Sequence, residues 1–232
     1  MQILRLSRFS FSPLSFLRGA KRFLLVATVA ATVSAMLSTA AFAVDAFVEG
    51  EHYERLPIPV NTADSDTCEV VEVFSYLCIH CYNFDPAITA WAAVQPDNVK
   101  FVRVPAIFSA DWESLAQAYY TAEALGVSEQ VHMPIFNAIH AQQRDLRRPN
   151  LLAKVFADEA SVSQEDFDQA YNSFSVRSRV QQAKAKGSAY RVTGVPTIIV
   201  NGKFRVDGRM AGNNTKMLEV VDYLVAMETE TE

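Results

Sequence analysis

Two cysteines separated by two residues, Cys78 and Cys81, constrain the fold of this chain more than any other sequence feature. They directly follow residues 69–75, a run of β-branched and aromatic side chains that predicts a buried strand. Residues 82–94 predict a helix, with Pro86 as a kink or interruption. A C-x-x-C pair between a strand and a helix is typical of a redox dithiol.

The spacing of the two cysteines has physical consequences. Two intervening residues in a first helical turn bring both sulfurs close enough to form a small disulfide ring. Cys78 then lies at the helix N-terminus, where free N–H groups and the helix dipole stabilise a thiolate. His80 adds to this stabilisation if it is protonated or donates a hydrogen bond. We therefore expect Cys78 to be the nucleophile that forms mixed disulfides and Cys81 to be the resolving thiol.

Other uses of a C-x-x-C pair fit less well. A c-type haem site needs histidine directly after the second cysteine, and Tyr82 stands there. A structural disulfide in so small a ring removes little chain entropy. A structural zinc site needs four ligands. The dithiol and the distant Cys68 would supply three, and the candidates for a fourth are weak, namely His52, His132 and His140. A metal-binding module that uses the two thiolates of the dithiol stays open as an alternative.

Residues 1–43 have the pattern of a secretory signal peptide. They carry five basic residues and no acid, and an uncharged, largely apolar run covers residues 23–44. Residues 41–43 are Ala-Phe-Ala, a small-residue cleavage site. We expect cleavage after Ala43, and an uncleaved membrane anchor is the alternative.

The cleaved chain has 16 basic and 26 acidic residues, a net charge of −10 with histidine neutral. A strongly acidic protein is a poor candidate for binding nucleic acid or an anionic membrane surface. Export places the three cysteines where disulfides persist. Cys68 is expected to be a small buried residue at a strand start, with a redox or intermolecular role as the alternative.

The remaining pattern predicts an α/β fold. Residues 99–104 form a second strand that Pro105 ends, so strand, helix and strand make a βαβ unit with parallel strands. Residues 44–66 are polar and turn-rich and predict no regular structure. Residues 197–201 and 204–207 predict a hairpin. The chain is expected to end in a helix over residues 215–227, which Asn214 caps.

Residues 111–187 are helical in character. Five helices are expected here, at 111–125, 128–142, 150–160, from 163 onward, and at 175–186. Gly187 is expected to end the last of them. The block is too long for a loop and predicts an inserted subdomain.

Two segments carry a resemblance to a known family. Residues 74–84 (Phe-Ser-Tyr-Leu-Cys-Ile-His-Cys-Tyr-Asn-Phe) resemble the active-site segment of the DsbA family, periplasmic thiol:disulfide interchange proteins. Residues 194–203 are similar to the family's cis-proline loop and the strand after it. The resemblance implies a thioredoxin-like fold interrupted by an inserted α-helical subdomain. Its parts would be residues 44–110, 111–187 and 188–232.

The resemblance also implies roles for particular residues. Pro196 matches the family's cis-proline, so Val195 would present free backbone groups to a bound peptide; an ordinary trans proline is the alternative. Glu72, six residues before Cys78, matches the acid that helps to move the proton of the buried cysteine. Arg103 on the neighbouring strand would pair with Glu72, unless both side chains reach solvent.

The sequence departs from the family at one position of the dithiol motif. The family's best-known dipeptide is Pro-His, and this chain has Ile79-His80. Isoleucine restores a backbone N–H and removes the fixed φ of proline, so the family's redox potential does not carry over directly. Ile79 and Val195 are both expected to contact the substrate.

The activity implied is that of a dithiol oxidase in the periplasm. It would donate the Cys78–Cys81 disulfide to reduced exported polypeptides, with no other cofactor. A quinone-linked membrane partner of the DsbB type would reoxidise it, and the chain would act as a monomer. A disulfide isomerase or reductase is an alternative, although isomerases of this compartment usually carry a dimerisation domain that the sequence does not show.

Overall fold

The computed structural model describes residues 47–230, so the predicted signal peptide lies outside the described residues. Within this range the chain forms eight helices and a five-stranded sheet with strand order β1-β5-β4-β2-β3. None of the helices in residues 47–230 has both the length and the apolar character needed to cross a membrane.

The elements are numbered here in chain order. The strands are β1 (Glu54–Arg55), β2 (Cys68–Phe74), β3 (Val99–Pro105), β4 (Thr197–Val200) and β5 (Phe204–Asp207). The helices are α1 (Ile79–Ala92), α2 (Ala110–Leu125), α3 (Ser128–His140), α4 (Pro149–Ala160), α5 (Gln164–Tyr171), α6 (Phe174–Ala189), α7 (Gly208–Ala211) and α8 (Asn214–Thr229).

Strand β2 is an interior strand of the sheet, between β4 and the edge strand β3, and the dithiol follows its C-terminal end. It pairs with β3 in parallel, which confirms the predicted βαβ unit, and with β4 in antiparallel orientation. The register places Glu72 opposite Arg103 on β3 and opposite Ile198 on β4. The short edge strand β1 was not predicted, because two residues are too few to show an alternating pattern.

Successive side chains of β2 point to opposite faces of the sheet. Val71 and Val73 belong to a large apolar cluster shared with helices α2–α6. Val70 belongs to a second cluster shared with α1 and α8. Both faces of β2 are therefore covered, which explains why its sequence is nearly continuously apolar rather than alternating.

Helices α2–α6 follow one another between β3 and β4, which confirms the predicted helical insertion in the fold. The predicted end of the fifth helix is wrong. Helix α6 continues through Gly187 to Ala189, and Tyr190 after it is fully buried. An interior glycine costs a helix only about 1 kcal/mol relative to alanine, so tertiary packing decides where the helix ends.

The second half of the sheet is closed by the predicted tight turn. Asn201 and Gly202 both have positive φ angles, +49° and +61°, as the two central residues of such a turn require. A side chain at Gly202 would also collide with the carbonyl oxygen of Val60, 1.9 Å from an added Cβ. The cap of α8 is Asn213, not the predicted Asn214, since the Asn213 side chain accepts from the N–H of Lys216.

Candidate active site

The first turn of α1 holds the dithiol. Cys78 is the N-cap residue of α1, and its Sγ accepts a hydrogen bond from the Cys81 N–H at 3.2 Å. Ser75 fixes the tight turn before it: its carbonyl accepts from the Cys78 N–H, and its hydroxyl oxygen accepts from the Leu77 N–H. The turn thus aims the Cys78 sulfur at the free N–H groups of the helix, as the motif predicts.

The two sulfurs differ in access to solvent. Cys81 is fully buried in the cluster shared with the helical insertion, whereas Cys78 is only partly buried. Both are free thiols in this structure. The Cys78 thiol donates to the carbonyl oxygen of Val195 at 3.3 Å, and the Val195–Pro196 peptide bond is cis, as expected. An incoming thiol therefore reaches the sulfur of Cys78 and not that of Cys81.

The surroundings of Cys78 favour its thiolate. Its pKa is lowered to about 6, first because the Cys81 thiol donates a hydrogen bond to it. The backbone N–H groups of Cys81 and His80 and the charge of His80 lower it further, against the opposing effect of burial. The helix terminus therefore contributes more than the His80 side chain, which is exposed.

Cys81 has the opposite environment. Burial raises its pKa far above that of an ordinary thiol, and the thiolate of Cys78 and the carboxylate of Glu72 raise it further. The pair thus consists of an acidic outer thiol and a buried inner thiol that stays protonated. Any reaction at Cys81 requires a group that exchanges its proton.

Glu72 is placed to be that group. It is almost completely buried on β2, and burial raises its pKa to about 7. Arg103 on β3 donates from Nε to Glu72 Oε2 at 3.0 Å. The expected pairing of these two side chains is therefore confirmed, and the alternative in which both reach solvent is wrong. The charge of Cys78 raises the pKa of Glu72, and the charge of Glu72 raises the pKa of Cys81.

The structure extends this pair into a network that the sequence analysis did not find. Arg103 Nη2 also donates to Asp85 Oδ1 at 2.9 Å. His132 Nε2 lies 2.9 Å from the same oxygen, and His132 Nδ1 lies 2.8 Å from the Tyr76 hydroxyl. His132 appeared in the sequence only as a weak metal ligand, and its partners lie 47 and 56 residues away along the chain.

Helix α3 makes a second set of contacts with the active-site segment. His140 Nε2 lies 2.9 Å from the Tyr76 carbonyl oxygen, and the His140 ring stacks on that of Tyr82. The Tyr82 hydroxyl donates to Asn137 at 2.9 Å. Tyr76 precedes the dithiol and Tyr82 follows it, so α3 holds the segment on both sides of the two cysteines.

A groove lies beside the exposed sulfur. It has a volume of about 440 Å³, and its lining includes His80, Thr193, Val195, Pro196 and Arg209. Ile79 is 46% exposed, an unusual position for a large apolar side chain. The exposed apolar residue, the groove and the backbone of the cis-proline loop are suited to an extended peptide.

Cys68 lies apart from the dithiol. It is the buried first residue of β2, whereas Cys78 follows the other end of that strand, and seven strand residues span about 20 Å. Burial raises the pKa of Cys68 to about 11. Among residues 47–230, no three histidine, cysteine, aspartate or glutamate side chains are grouped to hold a metal ion.

Comparison with known proteins decides the family. Residues 69–219 match the family model described as a DSBA-like thioredoxin domain. The chain belongs to the DsbA family. It is 42% identical over 179 residues to the thiol:disulfide interchange protein DsbA of Azotobacter vinelandii, across 77% of this chain and 83% of the relative. It is 39% identical over 204 residues to the Pseudomonas aeruginosa DsbA, across 88% of this chain and 96% of the relative.

Solved structures agree with this assignment. The crystal structure of P. aeruginosa DsbA superposes with a TM-score of 0.78, covering 81% of this chain and 97% of that one, at 39% identity. The oxidoreductase DsbA of Xylella fastidiosa gives a TM-score of 0.75 at 36% identity, covering 79% and 98%. Like its DsbA relatives, the chain is a thiol–disulfide oxidoreductase with a thioredoxin-like fold and a helical insertion.

Proposed function

We propose that this DsbA-family protein is an exported dithiol oxidase that donates the Cys78–Cys81 disulfide to reduced polypeptides in the periplasm. The single observation that supports this direction of exchange is the environment of Cys78, which stabilises the thiolate and so favours the reduced dithiol. A disulfide whose reduced form is stabilised is a strong oxidant.

The donation takes two exchange steps. A substrate thiolate attacks the Cys78 sulfur, so a mixed disulfide forms and Cys81 leaves as a thiolate. Glu72, whose pKa of about 7 leaves it partly protonated at neutral pH, gives Cys81 a proton. A second substrate thiolate then attacks the substrate sulfur of the mixed disulfide. Two substrate thiols are oxidised to one disulfide, and the Cys78–Cys81 pair is reduced.

Reoxidation runs through the same groups in reverse. Cys78 attacks a disulfide of a membrane partner of the DsbB type and forms a second mixed disulfide. Glu72 takes the proton of Cys81, whose thiolate attacks the Cys78 sulfur and releases the reduced partner. The electrons pass to that partner, so the protein needs no cofactor beyond its own disulfide.

The substrate-contacting residues surround the exposed sulfur. We assign Ile79, Val195 and Pro196 to peptide binding, because they lie on either side of Cys78 and line or flank the groove. The Val195 carbonyl lies next to the sulfur, where it can accept an N–H from an extended peptide. Backbone contacts of this kind suit an enzyme that acts on many unfolded sequences.

The organisation and location of the chain are part of the proposal. We propose a signal peptide at residues 1–43, a thioredoxin-like domain formed by residues 44–110 and 188–232, and a helical subdomain at residues 111–187. The exported chain is proposed to act as a monomer. Mass spectrometry of the periplasmic protein tests the cleavage after Ala43, and sedimentation tests the oligomeric state.

The reduction potential of the Cys78–Cys81 pair is the decisive measurement. Equilibration of the full exported chain with glutathione buffers should give a potential near that of strong oxidants, about −120 mV, rather than the −270 mV of thioredoxin-type reductases. A potential at the reducing end would favour a reductase. Failure of the wild-type protein to oxidise a reduced model substrate, under conditions where it rearranges scrambled disulfides, would favour an isomerase.

A thiolate metal-binding module is the alternative from another class. The reduced protein should hold no stoichiometric zinc after dialysis against a zinc-buffered solution. Tight zinc binding that blocks thiol exchange would overturn the oxidase assignment.

A further inference from the structure

His132 on α3 uses both of its ring nitrogens inside the protein. Nδ1 lies 2.8 Å from the Tyr76 hydroxyl and Nε2 lies 2.9 Å from Asp85 Oδ1. The ring is 9% exposed and also packs against the rings of Phe74 and Phe136. A polar side chain buried in an aromatic cluster with two such partners is held in one orientation.

Asp85, the partner of His132, competes with Glu72 for one guanidinium group. Arg103 donates from Nε to Glu72 and from Nη2 to Asp85, and both carboxyl groups are buried. The negative charge of Asp85 raises the pKa of Glu72, whereas Arg103 lowers it. The protonation of Glu72 therefore depends on whether Asp85 is ionised.

The ring of His132 is suited to keep Asp85 ionised without adding a charge. Burial lowers the pKa of His132 against the opposing effect of Asp85, and Arg103 lowers it further, so the ring is neutral at neutral pH. Burial raises the pKa of Tyr76, so its hydroxyl stays protonated and donates to Nδ1. Nε2 then carries the proton and donates to Asp85, and the His132 hydrogen bond lowers the pKa of that carboxyl group.

Other ionisable groups also face this network. Glu123 on α2 raises the pKa of Tyr76 and of Tyr119, and His140 on α3 contacts the Tyr76 carbonyl. On α1, the charge of Cys78 raises the pKa of Glu72, and Glu72 in turn raises the pKa of Cys81. Asp85 itself accepts from Arg103, from His132 and, at 3.5 Å, from the Thr89 hydroxyl.

We propose that His132 is a positioning residue: it holds Asp85 as a carboxylate against Arg103 and thereby sets the proton affinity of Glu72 when Cys81 gains or loses its proton. This inference rests on the proposed role of Glu72. It gives the helical insertion a part in the exchange reaction, since α3 contributes the group that completes the network.

The effect of losing His132 has a definite sign. Without the Nε2–H donor, the buried Asp85 carboxyl group takes up a proton at a higher pH. Arg103 and Thr89 still donate to Asp85, so it holds a proton in only a fraction of the molecules. In that fraction Asp85 no longer repels charge on Glu72, so the pKa of Glu72 falls. Glu72 then becomes a weaker base for Cys81, and the attack of Cys81 on a Cys78 mixed disulfide slows.

The test compares His132→Leu with Tyr119→Phe in the full exported chain. Leucine removes both hydrogen bonds of His132, whereas Tyr119→Phe removes from the same aromatic cluster a hydroxyl that donates to Glu123, and it leaves both His132 hydrogen bonds in place. Carbon NMR of the Glu72 carboxyl group, assigned with Glu72→Gln, gives its titration midpoint. Stopped-flow release of a peptide from its mixed disulfide with Cys78 gives the rate of Cys81 attack against pH.

We expect His132→Leu to lower the Glu72 midpoint by about half a pH unit or more and to slow peptide release, with Tyr119→Phe close to wild type. His132→Phe, which keeps an aromatic ring in the cluster but has no N–H donor, should give the same shift and serves if the leucine variant does not fold. His132→Gln, which keeps one N–H donor, should recover most of the shift. An unchanged Glu72 midpoint in the variants without a donor, even with lowered thermal stability, would overturn the proposal.

The same data separate this inference from the proposed function. If Glu72→Gln leaves the pH profile of peptide release unchanged, Glu72 is not the proton acceptor and that part of the proposed function fails. The NMR midpoint of Glu72 in the His132 variants still decides whether His132 controls its protonation. A shift in the midpoint without a change in release would support the network and reject its catalytic use.

Discussion

The sulfur of Cys78 lies 3.3 Å from the carbonyl oxygen of Val195, a residue 117 positions further along the chain. A thiol donates a hydrogen bond to that carbonyl, but a thiolate has no proton to donate. Ionisation of Cys78 therefore activates the nucleophile and at the same time frees the carbonyl oxygen for the N–H of a peptide. In the proposed reoxidation step, where Cys78 is the nucleophile, one deprotonation would prepare both the reacting sulfur and the adjacent carbonyl oxygen.

Substitutions between the two cysteines should show that the Cys81 thiol and the helix N-terminus, more than the side chains of Ile79 and His80, set the acidity of Cys78. In Ile79→Pro, the pKa of Cys78 should stay near 6, because the N–H groups that lower it belong to His80 and Cys81. Proline is also tolerated at the first position of a helix. In His80→Leu, the pKa should rise by less than about one unit, since the backbone donors remain.

The pKa of Cys78 in both variants is measured from the ultraviolet absorbance of the thiolate against pH, with Cys78→Ser as the blank. A rise of two units or more in His80→Leu would mean that the imidazole, rather than the helix terminus, dominates.

The stability of the reduced protein should depend on pH through Cys78. Its folded pKa of about 6 lies below the ordinary thiol value of about 8.5, so between these values the unfolded chain holds a proton that the folded chain lacks. The stabilisation is therefore present near pH 8.5 and is lost as the pH falls towards 6. The unfolding free energy of the reduced protein, minus that of the oxidised protein, should rise over this window.

Urea unfolding of both redox forms at several pH values measures this difference. Glu72 titrates in both forms, so its contribution largely cancels in the subtraction. A difference that stays flat from pH 6 to pH 8.5 would contradict the lowered pKa of Cys78.

Glu72 should make the protein less stable as the pH rises. Its folded pKa of about 7 lies above the ordinary value of about 4.3, so the folded chain holds more protons between these values. The contribution of Glu72 to the unfolding free energy is largest below pH 4.3 and is lost as the pH rises towards 7. Glu72→Gln should remove this slope, worth about 2–4 kcal/mol over the window.

The matched control is Glu129→Gln, which removes an exposed carboxylate from α3 and should leave the slope in place. Urea unfolding from pH 4 to pH 8 gives the pH dependence of the unfolding free energy for both variants. An unchanged slope in Glu72→Gln would show that another group is responsible.

The two cysteines of the dithiol should differ sharply when each is replaced. Cys78→Ser should abolish exchange, because the reachable sulfur is gone. Cys81→Ser should accumulate mixed disulfides with substrate, because the group that resolves them is missing. Non-reducing electrophoresis and mass spectrometry of the trapped species measure this, and trapping through Cys68 instead would contradict the assignment.

Cys68→Ala is the companion variant for these experiments. It removes one buried sulfur about 20 Å from the dithiol, and a small cavity of this kind costs about 1 kcal/mol of stability. Exchange activity should stay within about twofold of wild type. A large loss of activity with an unchanged unfolding free energy would give Cys68 a redox role.

The features that could be predicted from sequence are those that depend on local geometry or strand register. The position of Cys78 at a helix N-terminus follows from the C-x-x-C motif, because that motif lies between a predicted strand and a predicted helix. The pairing of Glu72 with Arg103 follows because two parallel strands bring these positions opposite each other. The resemblance to a family then supplied the cis-proline loop, which no local pattern identifies.

The network around His132 could not be predicted because its members meet only through the packing of α3 on the active-site segment. Asp85 and Tyr76 lie 47 and 56 residues from His132 along the chain. The available signal was the spacing of His132 and His140, eight residues apart on one face of a helix. Nothing in the sequence tells which element that face covers.

The burial of Cys81 also bears on damage by peroxide. Of the two sulfurs of the dithiol, dissolved oxidants reach that of Cys78 and not that of Cys81, and a thiolate is the form that reacts with them. The sulfenic acid formed there would lie next to Cys81, which can condense with it, release water and form the Cys78–Cys81 disulfide. We expect the first step of oxidative injury to yield the working form of the enzyme, and irreversible oxidation to begin only when Cys81 is replaced.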